Sequence, residues 1–241
     1  MRQNLHRAGI VAALLSTLLA LLFVGCTPLV REPSPEHGAG PAEFPERDYR
    51  QTAAQGQAVY RVDAAQSLVA IEVRRAGSLA RLGHDHIVAS HAVTGFVAPR
   101  QGRADLYVEL ARLTVDEAAL RAEAGFETQP SASDIEGTRA NMLEKVLESS
   151  RFPFALIAVT GVDAGQRSAT LAVTLTLHGN TRTLQVPAEV EVDADRLNVA
   201  GRFAFEQTDF GITPYSLLGG AIAVRNEVDL HFRIVARRVR P

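Results

Sequence analysis

The sequence predicts an all-β fold, either an antiparallel sandwich or a closed barrel, with one or two short helices. Three observations lead to this class. Hydrophobic and polar residues alternate with a period of two through most of residues 58–241, such segments are numerous, and only one longer stretch has helical spacing. One-sided alternation is typical of strands with a single buried face and argues against a parallel α/β sheet.

The N-terminal residues 1–25 are predicted to be a lipoprotein signal peptide. Arg2 and Arg7 precede sixteen uncharged residues, Ile10 to Gly25. That run is shorter than the roughly 20 apolar residues of a spanning helix and suits a signal peptide better. It ends in Gly25–Cys26, which resembles a bacterial lipobox and implies lipidation of Cys26; an uncleaved anchor helix with a buried cysteine is the alternative.

Residues 26–57 are predicted to form a flexible tether. Five prolines lie among Glu, Gly, Ala and Gln, and large apolar residues are few. Such a composition buries too little surface to offset the entropy of ordering. The tether would join the membrane to a single domain, residues 58–241, which must fold without a disulfide because Cys26 is the only cysteine.

The strands of that domain follow from alternation. The clearest case sets Leu171, Val173, Leu175 and Leu177 against small, polar or hydroxylated neighbours. Gly179–Asn180 then predicts a two-residue hairpin turn. The predicted strands are 59–63, 67–75, 86–98, 103–113, 154–161, 171–177, 184–192, 197–205 and 228–234.

One region departs from alternation and predicts a helix over 133–150. Ser133 and Glu136 have capping-box spacing, and Pro153 lies just beyond the end. One apolar stripe follows helical spacing and comprises Ile135, Met142, Leu143, Val146 and Leu147. A shorter helical turn is predicted over 116–124.

Charge excludes some partners. The formal net charge is −2, and no long run of one sign occurs outside the arginine-rich C-terminus, which favours a solvated last strand. Nucleic-acid binding is therefore not expected. No Gly-x-Ser-x-Gly elbow, phosphate-binding glycine loop or dinucleotide fingerprint occurs, so the chain is not predicted to be an enzyme.

Four segments in this order resemble the YceI-like family: VYRVDAAQSLVAIEVRRAG, RFPFALIAV, LTLHGNTRTLQVPAEV and FEQTDFGITPYSLLGGAIAVRNEVDLHFRIV. The resemblance spans residues 59–237. It implies a secreted bacterial protein with a lipocalin-like antiparallel β-barrel of about eight strands, whose interior is associated with polyisoprenoid chains such as those of quinones. With the lipobox, it implies an envelope protein anchored in the outer membrane and facing the periplasm.

The expected function is therefore binding. A barrel of about eight strands either fills with side chains or leaves room for one small ligand. An isoprenoid, a quinone or another amphiphilic small molecule is the expected ligand, and a membrane redox protein is a candidate partner. The residues placed in the interior as ligand contacts are Leu175, Leu177, Phe203, Phe205, Leu230 and Phe232. A solid barrel that serves as an interaction module is one alternative.

His84 and His86 are the remaining candidates. In this chain Gly83-His84-Asp85-His86 replaces the plainer glycine and aromatic segment of better-known family members. On a strand His84 and His86 share one side, and Asp85 and His91 the other. The pair could contact a ligand headgroup at the barrel mouth, form a structural His–Asp turn, act in catalysis, or bind a metal. A zinc site needs three or four ligands, so no metal site is predicted from these two alone, and a metal-binding protein or metalloenzyme stays an alternative.

Overall fold

A computed structural model describes residues 40–162, 165 and 167–240. The predicted signal peptide, Cys26 and the first part of the predicted tether lie outside the described residues. Within them, three α-helices occur: α1, Glu46–Ala54; α2, Ala118–Glu123; and α3, Ala132–Asn141, which continues as a π-helical turn, Met142–Val146. None of the described helices is long and apolar enough to cross a bilayer.

The strands of the described chain form one large antiparallel sheet and one small one. They are β1, Tyr60–Val62; β2, Leu68–Val73; β3, Arg75–Ala76; β4, His86–Ser90; β5, Thr94–Ala98; β6, Arg103–Glu109; β7, Thr114–Val115; β8, Phe154–Thr160; β9, Ser168–Leu177; β10, Asn180–Val192; β11, Arg196–Glu206; β12, Ser216–Leu217; β13, Ile222–Val224; and β14, Glu227–Arg238. Short 3-10 turns lie at Ala64–Gln66, Ala80–Leu82, Pro99–Gln101, Leu110–Arg112, Gln207–Phe210 and Leu218–Gly220.

The large sheet closes into a barrel. Strand β14 pairs with β2 through its first half and with β1 through its last residues, and β2 and β1 pair in turn with β4 and β5. Counting β1 with β2 and β4 with β5 as interrupted strands, the described residues give the ring β14, β1/β2, β4/β5, β6, β8, β9, β10, β11 and back to β14. This confirms the predicted antiparallel barrel of about eight strands.

The predicted strand over 86–98 is wrong in one respect, because residues 91–93 interrupt it and separate β4 from β5. Both strands are buried almost continuously rather than alternately. The reason is that each face is covered. The inner face lines the barrel, α2 and Phe126 cover the outer side of β4, and α1 covers the outer side of β5.

Helix α1 corrects the predicted tether, whose residues 46–54 are folded onto the barrel. Tyr49 is only 1% exposed, stacks on Phe96 with ring centroids 5.4 Å apart, and donates a hydrogen bond of 2.6 Å to Asp105. Low apolar content suggested disorder, but Phe44, Tyr49 and Ala53 lie together against the barrel and supply enough buried surface. The folded domain therefore begins before residue 58.

The predicted capping box and the predicted hairpin loop are both wrong in position, by two residues and by one residue. The capping box is formed by Ser131 and Asp134, not by Ser133 and Glu136: the Ser131 hydroxyl accepts from the Asp134 amide and the Asp134 carboxylate accepts from the Ser131 amide. The hairpin loop is His178–Gly179, not Gly179–Asn180, since Asn180 already pairs with Leu177. Both loop residues have positive φ, as a type I′ turn requires.

Candidate ligand cavity

The barrel encloses a cavity of about 630 Å³ that is open at one end. Its wall is almost entirely aliphatic and aromatic, and most of its polar groups lie near the opening; Ser90, four residues beyond His86 on β4, is a buried polar residue deeper on the wall. One side of the opening is formed by α3, which contributes Ser133, Asp134 and Thr138. The small sheet, β12–β13–β3, and the turn before Gly83 form another side. A solid barrel, the condition of the interaction-module alternative, does not agree with this interior space.

All six apolar residues predicted for the interior lie on the cavity wall. They come in pairs from β9, β11 and β14, where alternation turns every second side chain inward: Leu175 and Leu177, Phe203 and Phe205, Leu230 and Phe232. The three phenylalanines form one aromatic group, with ring centroids of Phe203 6.0 Å from Phe205 and 6.5 Å from Phe232. That these residues contact a ligand stays a prediction.

His84 and His86 both line the cavity, at its open end. Their ring centroids are 6.2 Å apart. The strand geometry does not apply to Asp85, because β4 begins at His86; Asp85 is nevertheless not part of the cavity wall, and its carboxylate accepts a 2.9 Å hydrogen bond from the Arg75 amide. His91 lies outside the cavity on the surface, 3.1 Å from Glu117.

The orientation of His86 is set by Asp116. The imidazole Nδ1 lies 2.6 Å from Asp116 Oδ2 in a mostly buried contact. Because an ionised carboxylate only accepts, Nδ1 carries the proton. The other ring nitrogen, Nε2, is then an acceptor in the neutral imidazole and a donor in the imidazolium.

Asp116 is itself held by Arg121. Its Oδ1 accepts from the Ile87 amide at 3.0 Å and from Arg121 Nη1 at 2.6 Å. Burial alone would raise the pKa of the Asp116 carboxyl, but the hydrogen bonds from His86, the Ile87 amide and Arg121 prevail and lower it below its ordinary value. The carboxylate is therefore ionised at neutral pH.

Arg121 is also buried, and carbonyl groups share its charge. It donates to the Asp85 carbonyl at 2.7 Å and to the carbonyl of Thr128. Asp116, Arg121 and these carbonyls form a buried polar cluster, which we call the Asp116 cluster, behind His86. Its effect is to fix both the ring orientation and the tautomer of one polar group at the cavity mouth.

The comparisons with known proteins identify this architecture. A family model described as the YceI-like domain matches residues 60–236. The chain belongs to the YceI-like family. Its match covers nearly the whole barrel, from β1 to the end of β14, and includes every predicted ligand contact.

Two solved structures similar to this YceI-like chain share its fold. A polyisoprenoid-binding domain from Saccharophagus degradans is 16% identical, with a TM-score of 0.56, over 75% of this chain and 98% of that domain. Burkholderia cenocepacia BcnA is 17% identical, with a TM-score of 0.50, over 72% of this chain and 98% of BcnA. A search of curated proteins gave no match.

Much of the wall of this YceI-like barrel comes from residues that the sequence reasoning did not single out. Alternation in β6 and β8 could have indicated Leu106, Val108 and Ile157, whose segments were already predicted as strands. The apolar stripe of the predicted helix also contributes, through Met142 and Val146. The Asp116 cluster gave no local signal, because Asp116 and Arg121 lie 30 and 35 residues beyond His86 in the chain.

The metal alternative is not supported by the geometry. Among the described residues, no three His, Cys, Asp or Glu side chains are placed to hold one ion. His178, 3.2 Å from Glu148, and His231, on β14, do not line the cavity and so do not join His84 and His86. His84 Nδ1 is instead a buried nitrogen without a hydrogen-bond partner among the described residues.

Proposed function

We propose that this YceI-like protein is a binding protein of the bacterial envelope that carries an amphiphile with an isoprenoid chain, such as a quinone, in its barrel. Lipid on Cys26 would hold it at the outer membrane, facing the periplasm. The observation that carries the proposal is the open, apolar cavity with most of its polar groups at the mouth. The similarity to a polyisoprenoid-binding domain supports it.

The size of the cavity suits such a chain. Since a carbon with its hydrogens fills about as much space as a water molecule, ~30 Å³, the cavity has room for roughly 20 carbons or about four isoprene units. Burying them contributes roughly 16 kcal/mol, at about 0.8 kcal/mol per carbon. Association and ordering cost about 4–15 kcal/mol, so the apolar chain alone can supply useful affinity.

The mouth provides for the polar end of the ligand. His86 lines the mouth with its ring oriented by the Asp116 cluster, and His84, whose Nδ1 has no partner among the described residues, lies beside it. At Nε2, a neutral His86 accepts from a hydroxyl group, and a protonated one donates to a carbonyl. A quinol or quinone head, or the hydroxyl of a long-chain alcohol, would meet these requirements.

Extraction of the native protein tests the ligand. We expect organic extracts of the purified full-length chain to contain an isoprenoid lipid by mass spectrometry, and the ligand-free protein to bind added quinone. A cavity-blocking variant, Ile157→Trp, should weaken that binding roughly ten-fold or more, since the larger side chain removes room for about two chain carbons at about 0.8 kcal/mol each. Its matched control is Leu156→Trp at the preceding residue, whose side chain lies on the outer face of the barrel.

Both variants should fold, and circular dichroism spectra check this before binding is compared. Repeated absence of lipid from the native protein, together with no binding of added quinone, would exclude the proposed function. Equal binding by the Ile157→Trp and Leu156→Trp chains would place the ligand outside the barrel.

The anchor is tested separately. Cells grown with a radiolabelled fatty acid should incorporate the label into this protein, and the Cys26→Ala chain should lose it. Fractionation should place the labelled protein with the outer membrane. Unchanged labelling of the Cys26→Ala chain would rule out lipidation at this cysteine.

A further inference from the structure

One side of the cavity mouth is a projecting lip. We define the lip as the 3-10 turn Ala80–Leu82 together with β12, β13 and the turn Leu218–Gly220 between them. The two parts are joined, because the Leu79 amide donates to the Ala221 carbonyl at 2.8 Å. Leu82, Leu217 and Ile222 of the lip line the cavity entrance.

The lip exposes apolar side chains to solvent. Leu82 is 62% exposed, Leu217 48% and Leu218 74%. Among the described residues, only one other large apolar side chain is exposed, Leu156 at 37%. Single exposed leucines are ordinary, but a group of them beside a cavity entrance marks an interaction surface.

The backbone at the tip holds Leu218 outward. Leu218, Gly219 and Gly220 all have positive φ, at 50°, 65° and 92°. A leucine rarely adopts this left-handed conformation. Leu218 has this unfavourable conformation although its side chain is exposed. Packing within the domain therefore does not explain why an apolar residue occupies this position.

The free charge beside the lip is positive. Residues 73–84 and 213–226 contain four arginines, of which Arg74 and Arg75 form ion pairs with the flanking carboxylates of Glu72 and Asp85. Two of these arginines, Arg81 and Arg225, are exposed. The facing side of the mouth differs, because α3 carries Asp134 and Glu136 against a single arginine, Arg139, whose guanidinium is bound to the Leu113 and Ala111 carbonyls. An anionic surface would therefore meet the lip first and would be repelled from the α3 side.

We propose that the lip docks on the surface of a phospholipid bilayer that contains anionic lipids. Leu82, Leu217 and Leu218 would enter the boundary between headgroups and acyl chains, while Arg81 and Arg225 stay among the phosphates. Docking opens the cavity mouth directly to the apolar layer, so an apolar chain passes in or out without crossing water. The inference rests on the proposed function for the identity of that cargo.

A single tryptophan tests the docking in the full-length chain, which has no tryptophan of its own. The test variant is Leu218→Trp. Its control is Gln101→Trp, an exposed position in the turn between β5 and β6. That turn lies at the opposite end of the barrel from the mouth. The turn is near the end of β14, because Val97 of β5 pairs with Tyr60, which in turn pairs with Arg238. The mouth is near the start of β14, because His86 pairs with Val73, which follows the β2 residues paired with the first half of β14.

Vesicles of phosphatidylethanolamine and phosphatidylglycerol provide the membrane. We expect the emission of the Leu218→Trp chain to shift to shorter wavelength on their addition and to be quenched by lipids brominated in the acyl chain, while the emission of the Gln101→Trp chain does neither. Adding Arg81→Ser to the Leu218→Trp chain should lower the docking equilibrium constant roughly five-fold, as expected for one arginine at an anionic surface. Unshifted emission from both variants would show that the lip does not enter the bilayer, and would overturn the inference.

Two other outcomes are also decisive. A blue shift of the Leu218→Trp emission without vesicles that disappears on dilution would show that a second copy of the chain covers the lip, contrary to the inference. Lipid extraction separates this question from the cargo. If the extracts contain isoprenoid but the indole of the Leu218→Trp chain stays exposed to water, only the docking of the lip is contradicted. If the indole enters the bilayer but the extracts contain no lipid, the docking is supported and only the proposed cargo is contradicted.

Discussion

The substitution Asp116→Asn would separate the charge of the Asp116 cluster from its shape. Asn is nearly isosteric with Asp and tolerates the positive φ of 58° at this position. Its amide oxygen can still accept from the Ile87 amide. What disappears is the negative charge that pairs with Arg121 and fixes the proton on Nδ1 of His86.

The expected cost follows from burial of the pair. Removing one partner of a buried ion pair costs about 3–5 kcal/mol, because it leaves an uncompensated charge in the interior. Arg121 retains the carbonyls of Asp85 and Thr128 as acceptors. We therefore expect the low end, about 3 kcal/mol of the free energy of unfolding, which lowers Tm by roughly 6–12 °C in a domain of this size.

Urea unfolding followed by circular dichroism measures this loss. The double variant Asp116→Asn, Arg121→Met should recover most of it, since it removes both charges and leaves neither unpaired. Nitrogen NMR of the imidazole rings should find the proton of His86 fixed on Nδ1 only in the wild-type chain. A loss below about 1 kcal/mol, or a double variant less stable than the single one, would refute the reasoning.

Three further predictions concern stability. The pKa of Asp116 is lowered in the folded state. The contribution of its carboxylate to the free energy of unfolding is therefore complete above the ordinary carboxyl pKa of about 3.9 and is lost as pH falls through the lower folded value. Lowering the pH below about 4 should thus destabilise the wild-type chain more than the Asp116→Asn chain. Gly179→Ala should cost more than Gly219→Ala in urea unfolding: both have positive φ, but only at Gly179 would the new methyl meet the Phe152 ring, at 2.7 Å. Tyr49→Phe should cost at least about 1.5 kcal/mol in the same assay, because it removes two hydrogen bonds that join α1 to β6, the one donated to Asp105 and the one accepted from Arg103.

The strands that were predicted best from the sequence are those with one buried face and one solvent-exposed face. In β9, Leu171, Val173 and Leu175 are buried while their neighbours are more exposed, and the alternation is readable residue by residue. In β4 and β5 this signal is absent, because α2 and α1 cover the outer face. A segment buried on both sides reads as one continuous apolar run, which is why the interruption at residues 91–93 was not predicted.

The same distinction separates the predicted from the unpredicted parts of the site. Phe203, Phe205 and Phe232 could be placed inside from alternation alone. His84 and His86 both line the cavity, but His84 lies before the start of β4, so strand geometry alone does not place it. Arg121 reads in the sequence as an ordinary surface residue of a helix. Its burial depends on how α2 crosses β4, a long-range contact that no local pattern encodes.

The distribution of polar groups also restricts the class of ligand. His84, His86 and the polar residues of α3 all lie at the mouth, whereas the inner end is lined by residues such as Val97, Val162 and Val186. Ser90 lies between the two ends, and its hydroxyl already accepts from the Ala92 amide. A hydroxyl or carbonyl group carried to that end would lose its hydrogen bonds to water and find none in return, at a cost of about 1–3 kcal/mol. A chain with one polar end therefore binds with its head at the mouth, and a chain with polar groups at both ends binds more weakly by that amount. Comparing a long-chain alcohol with the corresponding diol measures this difference, and equal affinity would show that the apolar end of the cavity is not the tail site.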